Sequence, residues 1–244
     1  MKQQILKITE NTALTDSVYR MVLESPELEE HRPGQFVNIR LDGLYLRRPV
    51  SVCDSVPGKL TILYKTVGKG TEQMSRMRAG EPLDVLTGLG NGYDLSKAGE
   101  SPLLLGGGVG VPPLYMLARK LRGQGKAVTV VLGFNTAKEV FGEEAFRALG
   151  CSVTVTTADG SRGTKGFVTD ALPEEYSYFY TCGPEPMLRA VFRKTKTSGQ
   201  FSFEERMGCG FGACMGCSCK TVTGYKRICR EGPVLEKEEI LWED

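Results

Sequence analysis

Four cysteines near the end of the chain restrict what it can fold into more than any other feature of the sequence. Cys209, Cys214 and Cys217 follow a CxxxxCxxC spacing, and 11 residues separate Cys217 from Cys229. This is the plant-type spacing of three [2Fe-2S] ligands with a fourth cysteine farther along. Glycines between the cysteines let the loop bend tightly and direct backbone amides at the sulfurs. The sequence therefore predicts that these four thiolates bind a [2Fe-2S] cluster.

The main alternative for this segment is a structural zinc site, since zinc also accepts four thiolates, commonly from two CxxC pairs. The CxxxxC interval favours iron-sulfur over zinc. Cys219 is a rival ligand, but two positions after Cys217 it would crowd the same side of the cluster, so we expect it to pack in the fold. The single histidine, His31, excludes the two-histidine ligation of a Rieske centre, and its place beside a turn predicts a surface position.

Composition excludes several classes of protein. A hydrophobic share of 41% and a charged share of 25% are typical of globular domains. The formal net charge of +2 gives no general attraction to nucleic acid or anionic membranes. The longest uncharged run, residues 101–118, is interrupted by four glycines and three prolines, so no membrane span is expected. The charged and amide-rich N-terminus is unlike an export signal, which predicts a cytoplasmic protein.

Two changes of pattern divide the 244 residues into three parts. Residues 1–98 contain short β-rich runs separated by turn residues, as in a small antiparallel barrel or sandwich. Residues 99–200 alternate apolar runs with helical segments, which predicts a parallel sheet with crossover helices. Residues 201–244 are rich in glycine and cysteine. The predicted fold class is an N-terminal antiparallel β-barrel, a central α/β domain with a parallel sheet, and a small C-terminal cluster domain.

A glycine-rich turn follows the first apolar run of the α/β part. Residues 103–113 have the sequence LLLGGGVGVPP, an apolar strand, a glycine turn and a helix begun by proline. A helix N-terminus with free backbone donors suits a pyrophosphate. The GxGxxG fingerprint is not matched, because Val111 stands at its third glycine. Glycine also marks turns that bind nothing, so the turn alone leaves both interpretations open.

Two earlier segments carry groups that suit phosphate. Arg48 and Ser51 are spaced three apart after an apolar run, and the planar guanidinium of arginine matches phosphate oxygens. Gly70 and Thr71 follow in a GKGT stretch that offers backbone donors and a hydroxyl. Each segment alone is equally well an ordinary turn or a solvated charge.

Taken in chain order, the RPVS, GKGT, GGGVGVPP and TCGPEPM segments resemble the motifs of the ferredoxin reductase family, over essentially the whole chain. With the cysteine cluster added, the chain resembles the electron-transfer subunits of class B dihydroorotate dehydrogenases, which carry FAD and a [2Fe-2S] cluster. The resemblance implies an FAD-binding barrel in residues 1–98, an NAD-binding domain in residues 99–200 and a cluster domain in residues 201–244.

The resemblance also implies which residues bind each cofactor. The residues implied for FAD are Arg48, Pro49, Val50, Ser51, Leu63, Tyr64, Lys65, Gly70 and Thr71. The residues implied for NAD are Gly106, Gly107, Gly108, Gly110, Cys182, Gly183 and Pro184. Two positions depart from the wider family, which often has tyrosine where Val50 stands and a longer interval before its fourth cysteine. NAD is chosen over NADP from the resemblance alone, since residues 134–138 contain no acidic residue and Lys138 could favour a 2′-phosphate.

The implied function is electron transfer in pyrimidine biosynthesis. Dihydroorotate would be oxidised at FMN in a separate catalytic subunit, and electrons would pass through [2Fe-2S] and FAD to NAD+, in a heterotetramer with two copies of each subunit. The chain shows no acid, base or nucleophile constellation, so no catalytic residue is predicted. The alternatives are a flavin subunit of an NAD(P)H-linked sulfide or ferredoxin oxidoreductase, a flavin and iron-sulfur redox sensor, and a zinc-stapled scaffold. Trp242 would cap a flavin or an interface, or lie in a surface tail.

Overall fold

A closed antiparallel barrel forms the N-terminal part of the computed structural model, which describes residues 1–242. Its strands follow the order β1-β2-β5-β4-β3-β6. Apolar residues alternate along each strand so that one face fills the interior, as Leu60, Ile62 and Tyr64 do on β5. This confirms the predicted barrel. The elements are β1 (Lys2–Ala13), β2 (Val18–Glu24), β3 (Phe36–Ile39), β4 (Arg48–Val56), β5 (Lys59–Lys65), α1 (Lys69–Arg76) and β6 (Pro82–Leu89).

A seven-stranded sheet with helices against it forms the central part, in the order β10-β9-β8-β7-β11-β12-β15. All neighbours from β10 to β12 are parallel, as predicted. The chain order reverses between β7 and β11, which makes their carboxyl ends the point where such sheets bind ligands. The elements are β7 (Leu103–Gly107), α2 (Pro112–Gly123), β8 (Thr129–Phe134), α3 (Glu143–Ala148), β9 (Ser152–Thr157), β10 (Thr164–Lys165), β11 (Phe179–Cys182), α4 (Glu185–Lys194) and β12 (Gly199–Ser202).

The cysteine-rich segment leaves this sheet and returns to it. After β12 the chain forms the cysteine loop and a short hairpin of β13 (Ser218–Thr221) and β14 (Gly224–Arg227). It then adds β15 (Val234–Glu236) antiparallel to β12, at the edge of the central sheet. The C-terminal part therefore contributes a strand to its neighbour.

Helix α2 joins the barrel to the central sheet. Met116 on α2 is fully buried and packs into the barrel core. The Arg119 guanidinium lies 2.8 Å from the Asp54 carboxylate of β4, and Lys120 Nζ lies 2.9 Å from the Glu30 carboxylate. Apolar packing and ion pairs thus fix the two parts against each other. Within residues 1–242, no helix combines the length and hydrophobicity needed to cross a membrane.

The expectation that His31 lies on the surface is wrong. Its side chain is buried, and Ser55 Oγ accepts a hydrogen bond from the His31 backbone N–H and lies 3.2 Å from Nδ1 of the ring. The turn that follows His31 folds this segment onto the end of β4, where Ser55 lies. Burial disfavours the imidazolium and lowers the pKa of His31 below its ordinary value.

Acid should therefore destabilise the fold through His31. Below the ordinary histidine pKa, the unfolded chain binds a proton that the folded chain resists, so the free energy of unfolding falls as pH falls. The expected contribution is at most about 1.4 kcal/mol per pH unit. We expect urea unfolding at pH 7.5 and pH 5.5 to show a smaller loss for His31→Asn, which keeps a polar atom for Ser55 but does not titrate. Equal losses in the two proteins would contradict this prediction.

Candidate functional site

The four predicted cluster cysteines lie together as two pairs. The Cys209 and Cys214 side chains contact each other, and so do those of Cys217 and Cys229. A two-iron cluster held by four cysteines needs two thiolates on each iron, whereas one zinc needs four around a single point. The donor set therefore fits a [2Fe-2S] cluster.

Backbone amides surround the first cysteine. The N–H groups of Phe211 and Ala213 point at Cys209 Sγ, with nitrogen–sulfur distances of 3.5 and 3.2 Å. Burial alone would raise the pKa of Cys209, but these hydrogen bonds and two more from the backbone and side chain of Cys214 outweigh it and bring the pKa to about 6. The thiolate is the form that binds metal. This loop therefore favours the ligating form of Cys209 at neutral pH.

The second pair lies deeper. Cys217 and Cys229 are both buried, and burial together with the contact to Cys217 raises the pKa of Cys229 to about 12. At neutral pH the Cys229 thiol therefore holds its proton until a metal displaces it, so metal binding here is coupled to proton release. Cys214, by contrast, is exposed, and Cys219 lies half-buried on β13 outside both pairs. The cluster position thus runs from the protein interior to the surface.

An open strand edge lies where the resemblance implies the flavin. Strand β4 pairs with β3 from Arg48 to Ser51, but with β5 only from Val52 onward. The backbone edge of the RPVS segment is therefore not covered by β5. Beside it, the Arg48 guanidinium lies across the start of α1, where a Cβ on Gly70 would come within 2.3 Å of Arg48 Nε. A side chain at position 70 would require this arginine to move.

The start of α1 offers free space next to that cation. A Cβ built on Gly68 would meet no atom within 4 Å. The Thr71 hydroxyl accepts the backbone N–H of Val67 at 2.9 Å and donates to the Gly68 carbonyl, so it shapes the turn. A guanidinium, a helix start and open space suit a dinucleotide pyrophosphate. The residues thus fit the pyrophosphate of FAD, and the Thr71 hydroxyl is engaged within the turn itself.

The β5 residues implied for flavin face in different directions, because side chains alternate along a strand. Tyr64 is buried in the barrel, and its hydroxyl donates to Asn11 Oδ1 at 2.9 Å, so only its backbone is free. Leu63 packs against the core of the central part. Lys65 Nζ lies 3.7 Å from the Glu139 carboxylate, across the junction of the two parts.

The two segments implied for NAD meet at the carboxyl ends of β7 and β11. Cys182 is the register partner of Gly106. A Cβ on Gly110 would lie 2.3 Å from the Cys182 carbonyl oxygen, and a Cβ on Gly107 would lie 2.4 Å from Met187 Sδ. A Cβ on Gly108 would meet nothing within 4 Å, so the space above the turn is open. This contact of two glycine-containing segments at the reversal point of the sheet fits a nucleotide site.

Two further residues from the sequence analysis have clear places. Burial raises the pKa of Cys182 to about 12, so its thiol stays neutral at neutral pH. Gly183 and Pro184 follow it and lead into α4. Trp242 packs against Phe192, Phe201 and Phe203, and its ring faces the Arg189 guanidinium at 5.2 Å. It is therefore packed against the central part and is not a free surface tail.

One residue that contacts the cysteine loop was missed from the sequence. Asn38 on β3 donates a hydrogen bond from Nδ2 to the Cys209 carbonyl oxygen at 3.2 Å. It stands in the run Phe-Val-Asn-Ile, and a polar residue inside an apolar strand is a signal that could have identified it. Its register partner on β4 is Pro49 of the RPVS segment.

Family models match two parts of the chain. Residues 204–241 match the iron-sulfur cluster binding domain of dihydroorotate dehydrogenase B, and residues 104–193 match the oxidoreductase NAD-binding domain. Both matches fall on the segments that contain the paired cysteines and the glycine turn. They agree with the assignment of these segments to a cluster and to a nicotinamide nucleotide.

Similar proteins cover almost the whole chain. The chain is 44% identical to the dihydroorotate dehydrogenase B (NAD(+)) electron transfer subunit of Shouchella clausii, with 98% of each chain covered. It is 43% identical to the subunit of the same name from Fusobacterium nucleatum, with 98% and 99% covered. Among solved structures, an NADH-dependent reduced ferredoxin-NADP oxidoreductase superposes with a TM-score of 0.88 at 32% identity, covering 98% of this chain and 90% of the other. The full-length identity and the paired cysteines show that this chain belongs to the family of dihydroorotate dehydrogenase B electron transfer subunits.

Proposed function

We propose that the chain transfers electrons from dihydroorotate oxidation, which takes place at FMN in a separate catalytic subunit, to NAD+. The observation that carries this proposal is the spatial order of three neighbouring sites, for the cluster, the flavin and the nicotinamide nucleotide. The cysteine loop contacts β3, the open RPVS edge lies on the next strand, and Leu63 and Lys65 on β5 reach the central part beside the glycine turn. Adjacent strands are about 4.8 Å apart, so cluster and flavin would be close neighbours.

The cofactors supply the redox chemistry and the chain positions them. When bound, a flavin exchanges two electrons as hydride with a nicotinamide and single electrons with an iron-sulfur cluster. Arg48 and the start of α1 would hold the flavin pyrophosphate, and the turn from Gly106 to Gly110 would hold that of NAD. Cys182 would stand near the nicotinamide as a neutral thiol, since burial raises its pKa. No side chain is required to move a proton on an organic substrate.

Partner docking would occur where the cluster approaches the surface. We define the cysteine-loop patch as Phe211, Cys214 and Met215, all of which are exposed. Exposed apolar side chains beside a redox centre are suited to a protein partner that must come close. We further propose a cytoplasmic heterotetramer with two copies of each subunit, as the family resemblance implies. None of the eight cysteines forms a disulfide, which agrees with a reducing compartment.

Replacing Met215 with glutamine should weaken binding of the catalytic subunit about 10-fold or more. Burying a methionine side chain at an interface contributes about 1.5–3 kcal/mol, and glutamine has a similar shape but adds a polar group to be desolvated. The matched control is Val56→Gln, an exposed apolar residue at the far end of β4. Titration calorimetry with the catalytic subunit measures both. The docking surface is misplaced if Val56→Gln weakens binding as much as Met215→Gln.

The function is tested by isolating the tagged chain from its native extract under anaerobic conditions and assaying dihydroorotate-dependent NAD+ reduction. Activity together with an FMN-containing partner supports the proposal. If the protein is brown and is reduced by NADH but lacks this activity, the flavin and cluster assignments stand and the partner is a different oxidoreductase. The 32% identity to a reduced ferredoxin-NADP oxidoreductase makes ferredoxin the first alternative substrate to assay. A flavin that NADH fails to bleach would favour a redox sensor.

A further inference from the structure

A buried amide connects the barrel to the first cluster cysteine. The Asn38 side chain is 1% exposed, and its Nδ2 atom donates to the Cys209 carbonyl oxygen at 3.2 Å. Phe36, two residues earlier on the same face of β3, packs in the apolar cluster that includes Cys217 and Cys229. The face of β3 that points out of the barrel therefore packs toward the cysteine segment, with Phe36 in the same apolar cluster as the inner cysteines and Asn38 hydrogen-bonded to Cys209.

The Asn38 amide packs directly against the backbone of Gly210. A Cβ at this position would lie 2.2 Å from Asn38 Nδ2, closer than atoms of two residues approach. The φ angle of Gly210 is +79°, a conformation that residues with a side chain rarely adopt. The loop thus bends over the asparagine directly after Cys209, and both partners of the contact are specific residue types.

The second polar atom of Asn38 shows which part of the side chain is used. Oδ1 is buried and has no hydrogen-bond partner in the part of the chain that the structure describes. An unpaired buried acceptor destabilises the folded state, and an apolar residue at position 38 would avoid that loss. Reversing the amide would place Oδ1 against the Cys209 carbonyl, two acceptors facing each other. The N–H donated to Cys209 is therefore the group that the position requires.

The asparagine also lies next to the implied flavin site. On the antiparallel β3–β4 pair, Asn38 faces Pro49 of the RPVS segment, so the strand that carries the open edge is the neighbour of the strand that binds the cysteine loop. We propose that Asn38 is a positioning residue, which fixes the Cys209 end of the cluster against the flavin-binding strand. This inference rests on the proposed cluster and flavin sites, and it assigns Asn38 no contact with either cofactor.

The proposal has two measurable consequences for the chain loaded with flavin and cluster. Asn38→Ala removes the hydrogen bond, whose net contribution is about 1 kcal/mol, so the half-life of the cluster under a ferrous chelator should fall about fivefold. The N–H offsets part of the negative charge on the carbonyl oxygen of the ligand Cys209, so its loss should also shift the cluster reduction potential to more negative values. EPR-monitored redox titration measures the potential, and visible absorbance measures the half-life.

A double-mutant cycle separates positioning from general destabilisation. The Cβ of Gly210→Ala would clash with the Asn38 amide, and Asn38→Ala removes that clash, whereas the backbone strain of alanine at φ +79° is common to the Gly210→Ala single variant and the double variant. We expect each single variant to shorten the half-life and the double variant to be no worse than the more affected single one. Gln35→Leu is the control, because Gln35 also donates a buried amide N–H to a backbone carbonyl, that of Gly90, without contacting the cysteine loop.

The outcomes distinguish this inference from the proposed function. If wild type lacks [2Fe-2S] absorption after reconstitution, the proposed function itself fails. If wild type carries the cluster but Asn38→Ala retains its half-life and potential, only the role of Asn38 is overturned. Additive effects of Asn38→Ala and Gly210→Ala, or equal effects of Gln35→Leu, would also overturn it.

Discussion

Replacing Cys214 with serine will abolish electron transfer between this chain and the catalytic subunit. NADH will still reduce artificial dyes through the flavin. Cys214 is one of the two thiols of the outer pair, with Cys209, so the variant leaves one iron with a single thiolate. Loss of even an outer-shell partner costs about 10- to 100-fold in metal affinity, and loss of a ligand costs at least that much. We expect dihydroorotate-dependent NAD+ reduction to fall at least about 100-fold. Arg48 and the glycine turn are untouched, so NADH-to-dye activity should stay near wild type.

The matched control is Cys219→Ser, five positions further along the chain. Cys219 is half-buried on β13 and belongs to neither pair, so this variant should keep both activities and the cluster absorbance. Comparing the Cys214→Ser and Cys219→Ser variants distinguishes the loss of a cluster ligand from the loss of any thiol in the segment. Equal loss of both activities in Cys214→Ser would contradict the division of roles between cluster and flavin.

Gly110→Ala should disable the nucleotide site. The added Cβ would lie 2.3 Å from the Cys182 carbonyl oxygen and 2.5 Å from the Gly183 nitrogen, and both are backbone atoms that cannot rotate away. The turn after β7 and the segment after β11 must therefore separate. Overpacking of this kind costs about 1–3 kcal/mol, which predicts a fall of about 10- to 100-fold in kcat/KM for NADH. Steady-state NADH-to-dye kinetics provide the measurement.

The control for this change is Gly123→Ala at the end of α2, where a Cβ would meet no atom within 4 Å. Flavin content and cluster absorbance should be unchanged in both variants, because neither glycine touches the RPVS segment or the cysteine loop. A normal KM for NADH in Gly110→Ala would show that the nucleotide binds elsewhere. Thermal unfolding of both variants shows whether Gly110→Ala has lost the fold rather than the site.

The features that could be predicted from the sequence are those that depend on residues close together in the chain. The alternating strands, the glycine turn before α2 and the cysteine spacing each depend on local spacing, and the structure contains the barrel, the parallel sheet and the paired thiols. Features that depend on contacts between distant segments could not be read this way. His31 is buried where it hydrogen-bonds to Ser55, which lies 24 residues later in the chain. Asn38 hydrogen-bonds to Cys209, which lies 171 residues later.

Side-chain direction was also beyond the sequence at the implied flavin strand. The resemblance assigns Leu63, Tyr64 and Lys65 as one group, but a strand turns successive side chains to opposite faces. Tyr64 consequently lies inside the barrel and bonds Asn11, while its two neighbours face the central part. Their contacts with flavin remain predictions, and for Tyr64 they would involve the backbone.

The return of the chain from β14 to β15 determines how freely the cluster could move. Residues 203–233 leave the sheet after β12 and rejoin it on the strand directly beside β12, so both ends of the segment are fastened to one rigid edge. A tethered carrier domain swings on a linker and delivers electrons by diffusion. Here both ends of the cluster segment are joined to the central sheet, and Asn38 binds the loop between them at Cys209. Electrons would therefore cross a fixed gap between flavin and cluster, and this step would not require a swinging motion of the cluster segment.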